Sequence, residues 1–241
     1  MRDLWTERLA KWGLRLAIAA PLMAVLFILI YRFGLTSHRV PFYGMTLAVM
    51  GSGIALLLSA GALVGGLGGN GKHMQKALIG LVLALLVLYL PLNFARRGAQ
   101  VPVIHDISTD LKNPPVYVAV PAMRAPSDNS LDIDPNVQAA QRGYYTDIAP
   151  LFMDGMLQDN FDQALSAAED MGWQIIASDV DKGTIEATAT TALFNFKDDV
   201  VIRLTQNGDK TRIDMRSASR VGQTDLGANA ARIAAYFKTL K

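Results

Sequence analysis

The sequence predicts an α+β domain carried behind a membrane anchor of three helices. Three observations predict it. Long charge-free apolar runs crowd the first hundred residues, the charge reverses sign near residue 97, and beyond Pro150 the hydrophobic periodicity reads α-β-β-β-β-α. Residues 1–97 hold ten Lys and Arg against two acids, and residues 98–241 hold thirteen against nineteen, giving +8 and −6 within a net +2. A basic, apolar part followed by an acidic, mixed part is the composition of an anchor joined to a soluble domain. The expected boundaries are 1–97 for the anchor, 98–150 for a proline-rich linker that begins the soluble domain, and 151–241 for its α+β core.

Each anchor helix follows from length and charge. A spanning helix needs about 20 apolar residues, because each adds 1.5 Å against a hydrocarbon core of roughly 30 Å. No charge lies between Arg15 and Arg32, between Arg39 and Lys72, or between Lys76 and Arg96. Spans are therefore expected over about 13–33, 43–66 and 75–95. Trp12, Tyr31 and Phe33 stand where interfacial aromatics belong. The first run ends in Ile30-Tyr31-Arg32 with no small-residue cleavage site, so it is read as a retained helix rather than a signal peptide.

The second span carries Ala48, Ser52, Ala55, Ser59 and Ala62 along one helical face, with Gly61 and Gly65 forming a GxxxG. Such a face lets backbones approach closely. It serves packing among the three spans or, alternatively, a homodimer through the second helix. No Asp, Glu, Lys, Arg or His lies within the apolar runs that Arg15, Arg32, Lys76 and Arg96 flank, nor within the second span, which speaks against an ion or proton pathway.

An odd number of spans puts the termini on opposite sides. The first helix has four basic residues before it (Arg2, Arg8, Lys11, Arg15) and two after it (Arg32, Arg39). The positive-inside rule then expects a cytoplasmic N-terminus. The soluble domain would stand outside a bacterial inner membrane, in the periplasm of a Gram-negative envelope.

Seven of the ten prolines fall between Gly98 and Pro150, so long regular elements are not expected there. Residues 123–135 read as an exposed loop, and 137–145 as a short helix after Pro135. Next comes a helix capped by Asp159 or Asn160 and stopped at Gly172, with Phe161, Leu165 and Ala168 on one face. Trp173–Ser178 and Thr184–Thr191 read as strands about the turn 179–183, the second setting Ile185, Ala187 and Ala189 against Thr184, Glu186 and Thr188.

Val200–Thr205 and Arg212–Ser217 form a further hairpin. A two-residue Asn207-Gly208 turn would oppose Arg203 to Arg212. A loop over 207–210 instead opposes Arg203 to Asp214 and keeps Ile202 and Leu204 facing Met215 and Ile213. Opposed charges contribute roughly 0.2–1 kcal/mol, so the longer loop is expected. A last helix runs from a Thr224 or Asp225 cap to Leu240, burying Leu226, Ala230, Ile233 and Phe237. The four strands form an antiparallel sheet with the helices packed on it.

The segments VIHDISTDLKNPP (103–115), GYYTDIAPL (143–151), LFNFKDDVVIRL (193–204) and IDMRSASRVGQTDLGANAARI (213–233) together resemble the bacterial family known as domain of unknown function 1499, over about 100–240. The resemblance implies a membrane-anchored domain and carries no catalytic or binding residues with it.

The densest polar constellation is Asp198, Asp199, Arg203, Asp214, Arg216, Arg220, Asp225 and Arg232, with Ser217, Ser219 and Asn229 among them. One reading is an anion or ligand site: Arg216 and Arg220 with the Ser217 and Ser219 hydroxyls would grip a phosphate or carboxylate near the last helix's N-terminus. Arg203, Asp214, Asp225, Asn229 and Arg232 would complete it. The other reading is a structural salt-bridge network, since four arginines balance four aspartates. Asp225, Asn229, Arg232 and Tyr236 line one side of the last helix.

Exclusion narrows the rest. Without cysteine there is no disulfide and no thiol chemistry. His105 is the only histidine beyond the anchor, so no zinc cluster or histidine relay is expected. Asp179 and Asp181 before Gly183 lack the further ligands of a calcium loop. Nucleotide and hydrolase motifs are absent, and a domain of charge −6 is no nucleic-acid binder. No cofactor or metal is expected. The functional expectation is a membrane-tethered, non-catalytic domain that binds a partner protein or small ligand beside the lipid bilayer. The alternatives are a hydrolase-like envelope enzyme and an anion or lipid-headgroup receptor using the Arg216–Asp225 region.

Overall fold

The computed structural model describes residues 2–67 and 73–241; Lys72, one of the charges flanking the spans, lies outside them. Two compact units form, Met1–Arg96 and Arg97–Lys241.

The first unit holds helices α1 (Arg2–Arg32), α2 (Arg39–Gly66) and α3 (Met74–Gly98). All three are long and apolar enough to cross a membrane. The shortest has 25 residues, or about 37 Å at 1.5 Å per residue, against a hydrocarbon core of roughly 30 Å. Pro21 and Pro91 lie inside α1 and α3, a placement that membrane helices tolerate.

The small-residue face of α2 is buried within the unit. Ala62 packs with Ala10 and Ala77, and Ala55 with Ala17 and Ala84. The helices approach closely at Ser59. A Cβ on Gly13 would sit 2.5 Å from its Oγ, and one on Gly80 2.7 Å from the same atom. A Cβ on Gly65 would lie 2.6 Å from Thr6 Cγ2, so the GxxxG also meets α1. The face the sequence offers to a second copy is thus occupied inside the chain. A homodimer using it would have to open the bundle.

The second unit is α+β, with more strands than the four expected. Its elements are β1 (Asp106–Ser108), a 3₁₀ turn (Val120–Met123), α4 (Pro135–Tyr144), β2 (Leu151–Asp154), α5 (Leu157–Asp170), β3 (Gln174–Asp179), β4 (Thr184–Thr190), β5 (Lys197–Asn207), β6 (Lys210–Ser219) and α6 (Ala228–Thr239). The antiparallel sheet runs β1-β6-β5-β4-β3, and β2 joins β6 further along. The four expected strands are β3 to β6. The additional pair, β1 and β2, have three and four residues, too few to show a period of two. Their identity comes from β6, tens of residues away.

The hairpin register is the one that charge demands. Arg203 opposes Asp214, Ile202 opposes Met215 and Leu204 opposes Ile213. The strands run one pair further than expected, to Asn207 opposite Lys210. Gly208 and Asp209 therefore form a two-residue turn, with Gly208 at φ +65 as such turns require.

α5 and α6 cover one face of the sheet. Phe161, Trp173, Ile185, Ile202, Met215, Ile233 and Tyr236 belong to its core, with Trp173 stacked on Tyr236 at 5.2 Å. The other face is covered by the extended segment 114–131, whose Tyr117 and Val120 pack with Val201 and Ala218. Sheet alternation on β4 consequently does not separate core from solvent: Glu186 and Thr188 are buried as well.

Three local expectations need correction. α5 starts at Leu157 with no side-chain cap; Asn160 instead donates to Asp154 O and Thr211 Oγ1. α6 starts after Gly227, at φ +85, while Asp225 still accepts from the Gly227 and Asn229 amides. Leu226 takes φ +53, which turns its side chain out of the core into partial exposure.

Candidate functional site

The polar constellation read from the sequence is divided by the sheet into two networks. Neighbouring residues of a strand point to opposite faces, so Arg216 and Ser217 cannot share a pocket. Ser217, Ser219 and Asp198 face α6. Asp199, Arg203, Asp214, Arg216 and Arg220 face segment 106–131.

On the α6 side, the Ser217 hydroxyl donates to Asn229 Oδ1 (2.7 Å) and accepts from Arg232 Nη1 (3.0 Å). Asn229 Nδ2 donates to Ser219 Oγ and His105 O, both at 3.0 Å. Arg232 Nη2 pairs with Asp198. Asn229 and Arg232 thus project from α6 onto the sheet, as their spacing predicts. Tyr236, in the same line, donates instead to Ala164 O.

On the opposite side, Asp199 is the hub. Its side chain has no exposed surface. Oδ2 accepts from Arg124 Nη1 (2.7 Å) and Arg220 Nε (2.9 Å); Oδ1 accepts from Arg220 Nη2 (2.8 Å) and Thr188 Oγ1 (2.7 Å). Arg220 and Arg124 also donate to Met123 O and Asn129 O, which ties the overlying segment down. Arg216 grips Asp106 through Nε and Nη2, donates to Leu131 O and lies 5.2 Å over the Tyr117 ring. Burial opposes the Arg216 charge, yet the Asp106 carboxylate outweighs it and raises the guanidinium pKa. Burial, seconded by Asp106, lifts the Tyr117 phenol well above its ordinary value. Its hydroxyl donates to Asp199 O at 2.9 Å.

Further along, Arg203 and Arg212 each bridge Asp110 and Asp214 at 2.8 to 3.3 Å. Burial pushes the Asp110 carboxyl upward, but the Asn113 and Lys112 amides and the two arginines prevail and hold it below the usual range. A fifth carboxylate, Glu186, takes no cation among the described residues. It accepts from the amides of Val118 (2.8 Å), Ala119 (3.0 Å) and Val120 (2.8 Å). Its own chain thereby fills an anion nest.

This face holds Asp106, Asp110, Asp199, Asp214 and Glu186 against Arg124, Arg203, Arg212, Arg216 and Arg220. Charge balances, and each guanidinium is paired with an internal carboxylate, although the buried Arg212 Nε has no acceptor of its own. An anion would have to displace Asp106 from Arg216 or Asp199 from Arg220. Arg216 and Arg220 lie across the sheet from Ser217 and Ser219, so the four groups do not converge on one oxyanion.

Asp106, Asp110, Tyr117, Arg124, Glu186, Thr188 and Arg212 belong to these networks and were not singled out in the sequence. All but Glu186, Thr188 and Arg212 lie in a stretch that reads as loop. A surface groove beside β1, lined by His105, Asp106, Asn129, Asp132 and Asp134, borrows Asp106 from Arg216 and Asp134 from the α4 cap. Asp179 pairs with Lys182 across its turn. Among the described residues no group of three His, Asp or Glu is arranged to hold a metal.

Residues 106–240, more than half of the chain, match the model of a family described as protein of unknown function (DUF1499). No curated protein matches the chain.

Proposed function

The chain belongs to the DUF1499 family, and we propose that its second unit is a membrane-tethered, non-catalytic domain that binds a protein partner. The carrying observation is a rigid apolar ridge. Along residues 116–123, Tyr117 and Val120 anchor into the sheet while Val116 and Val118 point outward, Val118 at 81% exposure. The Glu186 carboxylate pins the amides of 118–120, and the Tyr117 hydroxyl is bonded to two strand carbonyls. Exposed valines on a pinned backbone lose little entropy on docking. The anion-receptor reading loses support because its arginines and serines lie on opposite faces.

The test is photo-crosslinking in native membranes with benzoylphenylalanine at Val118 of the full chain. One discrete heavier adduct is expected, removed by Val116→Asp. No adduct, or the same pattern from a probe at exposed Lys182, would sink the reading.

We also propose that the N-terminus is cytoplasmic and the domain lies outside an inner membrane, in the periplasm of a Gram-negative cell. The four-to-two excess of basic residues on the N-terminal side of the first apolar run, which begins after Arg15, supports this. The chain has no cysteine, so Lys112→Cys offers a single thiol on an exposed residue. A membrane-impermeant maleimide should label it in cells whose inner membrane is intact; labelling only after lysis reverses the topology.

A further inference from the structure

The chain enters the domain at one end of the sheet. His105 O accepts from Ser219 N at 2.8 Å, and Ile104 O from Asp225 N at 3.0 Å, so the incoming segment is fastened where β6 ends and α6 begins. Six residues, or seven Cα-to-Cα steps, separate His105 from Gly98, the last residue of α3. Their reach is at most about 25 Å. Whatever the domain's posture, this end stays within that distance of a helix terminus that belongs at the bilayer surface.

The same end presents large apolar side chains to solvent. Met123 closes the 3₁₀ turn at 54% exposure, Leu193 tops the β4–β5 loop at 57%, Val103 lies in the incoming segment at 67%, and Leu226 precedes α6 at 38%. Two of these positions sit in turns that use rare backbone. Leu226 itself has φ +53, and Asn195, two residues after Leu193, has φ +56; L residues seldom adopt this region. Both turns are built to hold it. Thr224 Oγ1 accepts from Leu226 N, Asp225 accepts from the next amides, and Thr191 accepts from Asn195 N and Phe196 N. Phe194 and Phe196 stack at 5.2 Å in the same loop.

We propose that this end of the domain is a lipid-contacting surface, on which Met123, Leu193 and Leu226 enter the interfacial layer of the bilayer that holds the anchor. The occupant is lipid because the tether confines these side chains to the vicinity of a bilayer. The contact is apolar: a domain of charge −6 gains nothing from anionic headgroups, whereas buried apolar side chains bind an interface of any charge. Met123 lies at the end of the stretch that carries the partner ridge, but Leu193 and Leu226 lie outside it, and the inference holds with or without a partner on the exposed valines.

The test uses the full chain in vesicles of zwitterionic phosphatidylcholine. Single cysteines at Met123, Leu193 and Leu226 carry an environment-sensitive fluorophore, with Phe152→Cys, exposed on β2 at the opposite end, as reference. Lipids spin-labelled near the headgroup should quench the three probes roughly two-fold more than the reference, at low and high salt alike, as an apolar interfacial contact requires. Equal quenching at both ends overturns the proposal. So does protection from lipid spin labels and aqueous iodide together, which would mean that protein covers the surface. Quenching that vanishes in high salt would mark an electrostatic contact and overturns it equally.

Discussion

Asp199→Asn is expected to destabilise the second unit by about 3–5 kcal/mol, the cost of breaking a buried ion pair by removing one partner. The carboxylate is fully buried and accepts four hydrogen bonds, three of them from Arg124 and Arg220. The amide keeps the shape but removes the charge, and it turns a donor group toward one of the guanidiniums. Two arginine side chains that are nearly buried then lose their counter-ion together. Urea unfolding of the full chain in detergent micelles, followed by near-ultraviolet circular dichroism, gives the number. Adding Arg124→Met to Asp199→Asn should recover part of the loss, because one unpaired charge leaves the interior. Asp179→Asn, in an exposed pair with Lys182, should leave the urea midpoint almost unchanged, because solvent screens such a pair. A loss at Asp199 no larger than at Asp179 would mean that the network is ornamental.

What could be read beforehand divides along a physical line. The three helices were legible because apolar length and missing charge are local properties. The β5–β6 register was legible because only one pairing sets Arg203 against Asp214. β1, β2, Tyr117 and Arg124 were hidden because their strand and ion-pair partners lie at least 56 residues away, as for Asp154 opposite Lys210, or much further, as for Arg216 and Asp106. Segment 114–131 reads as a proline-rich loop; nothing local says that it roofs a sheet. The split between Arg216 and Ser217 was the accessible part of the site, since strand alternation alone separates adjacent residues. Grouping them by nearness in sequence concealed it. Glu186 is the instructive miss: in an alternating strand it reads as a solvent-facing residue, and only the roof above it makes it an internal ligand.

That residue yields the second large effect, of a different kind. Glu186→Gln keeps the side chain's volume and exchanges one acceptor oxygen for an amino group. Oε1 can keep the Val118 amide, but Val120 N, 2.8 Å from Oε2, would then face a donor, and Ala119 would share what remains. Each buried donor left unsatisfied costs about 1–3 kcal/mol, so a loss of roughly 2–4 kcal/mol is expected. It should be local. The sheet beneath keeps its ladder and its Asp199 hub, whereas the ridge loses the group that holds its backbone. Hydrogen exchange on the full chain should show the amides of 116–123 losing protection far more than those of β5 and β6. Asp199→Asn should lower both together, because its hub joins roof and strands. If the ridge is the docking surface, Glu186→Gln should also weaken the adduct formed from Val118 while leaving the fold intact. Unchanged protection at 118–120 would show that the three amides find another acceptor, and the rigidity argued for the ridge would go with it.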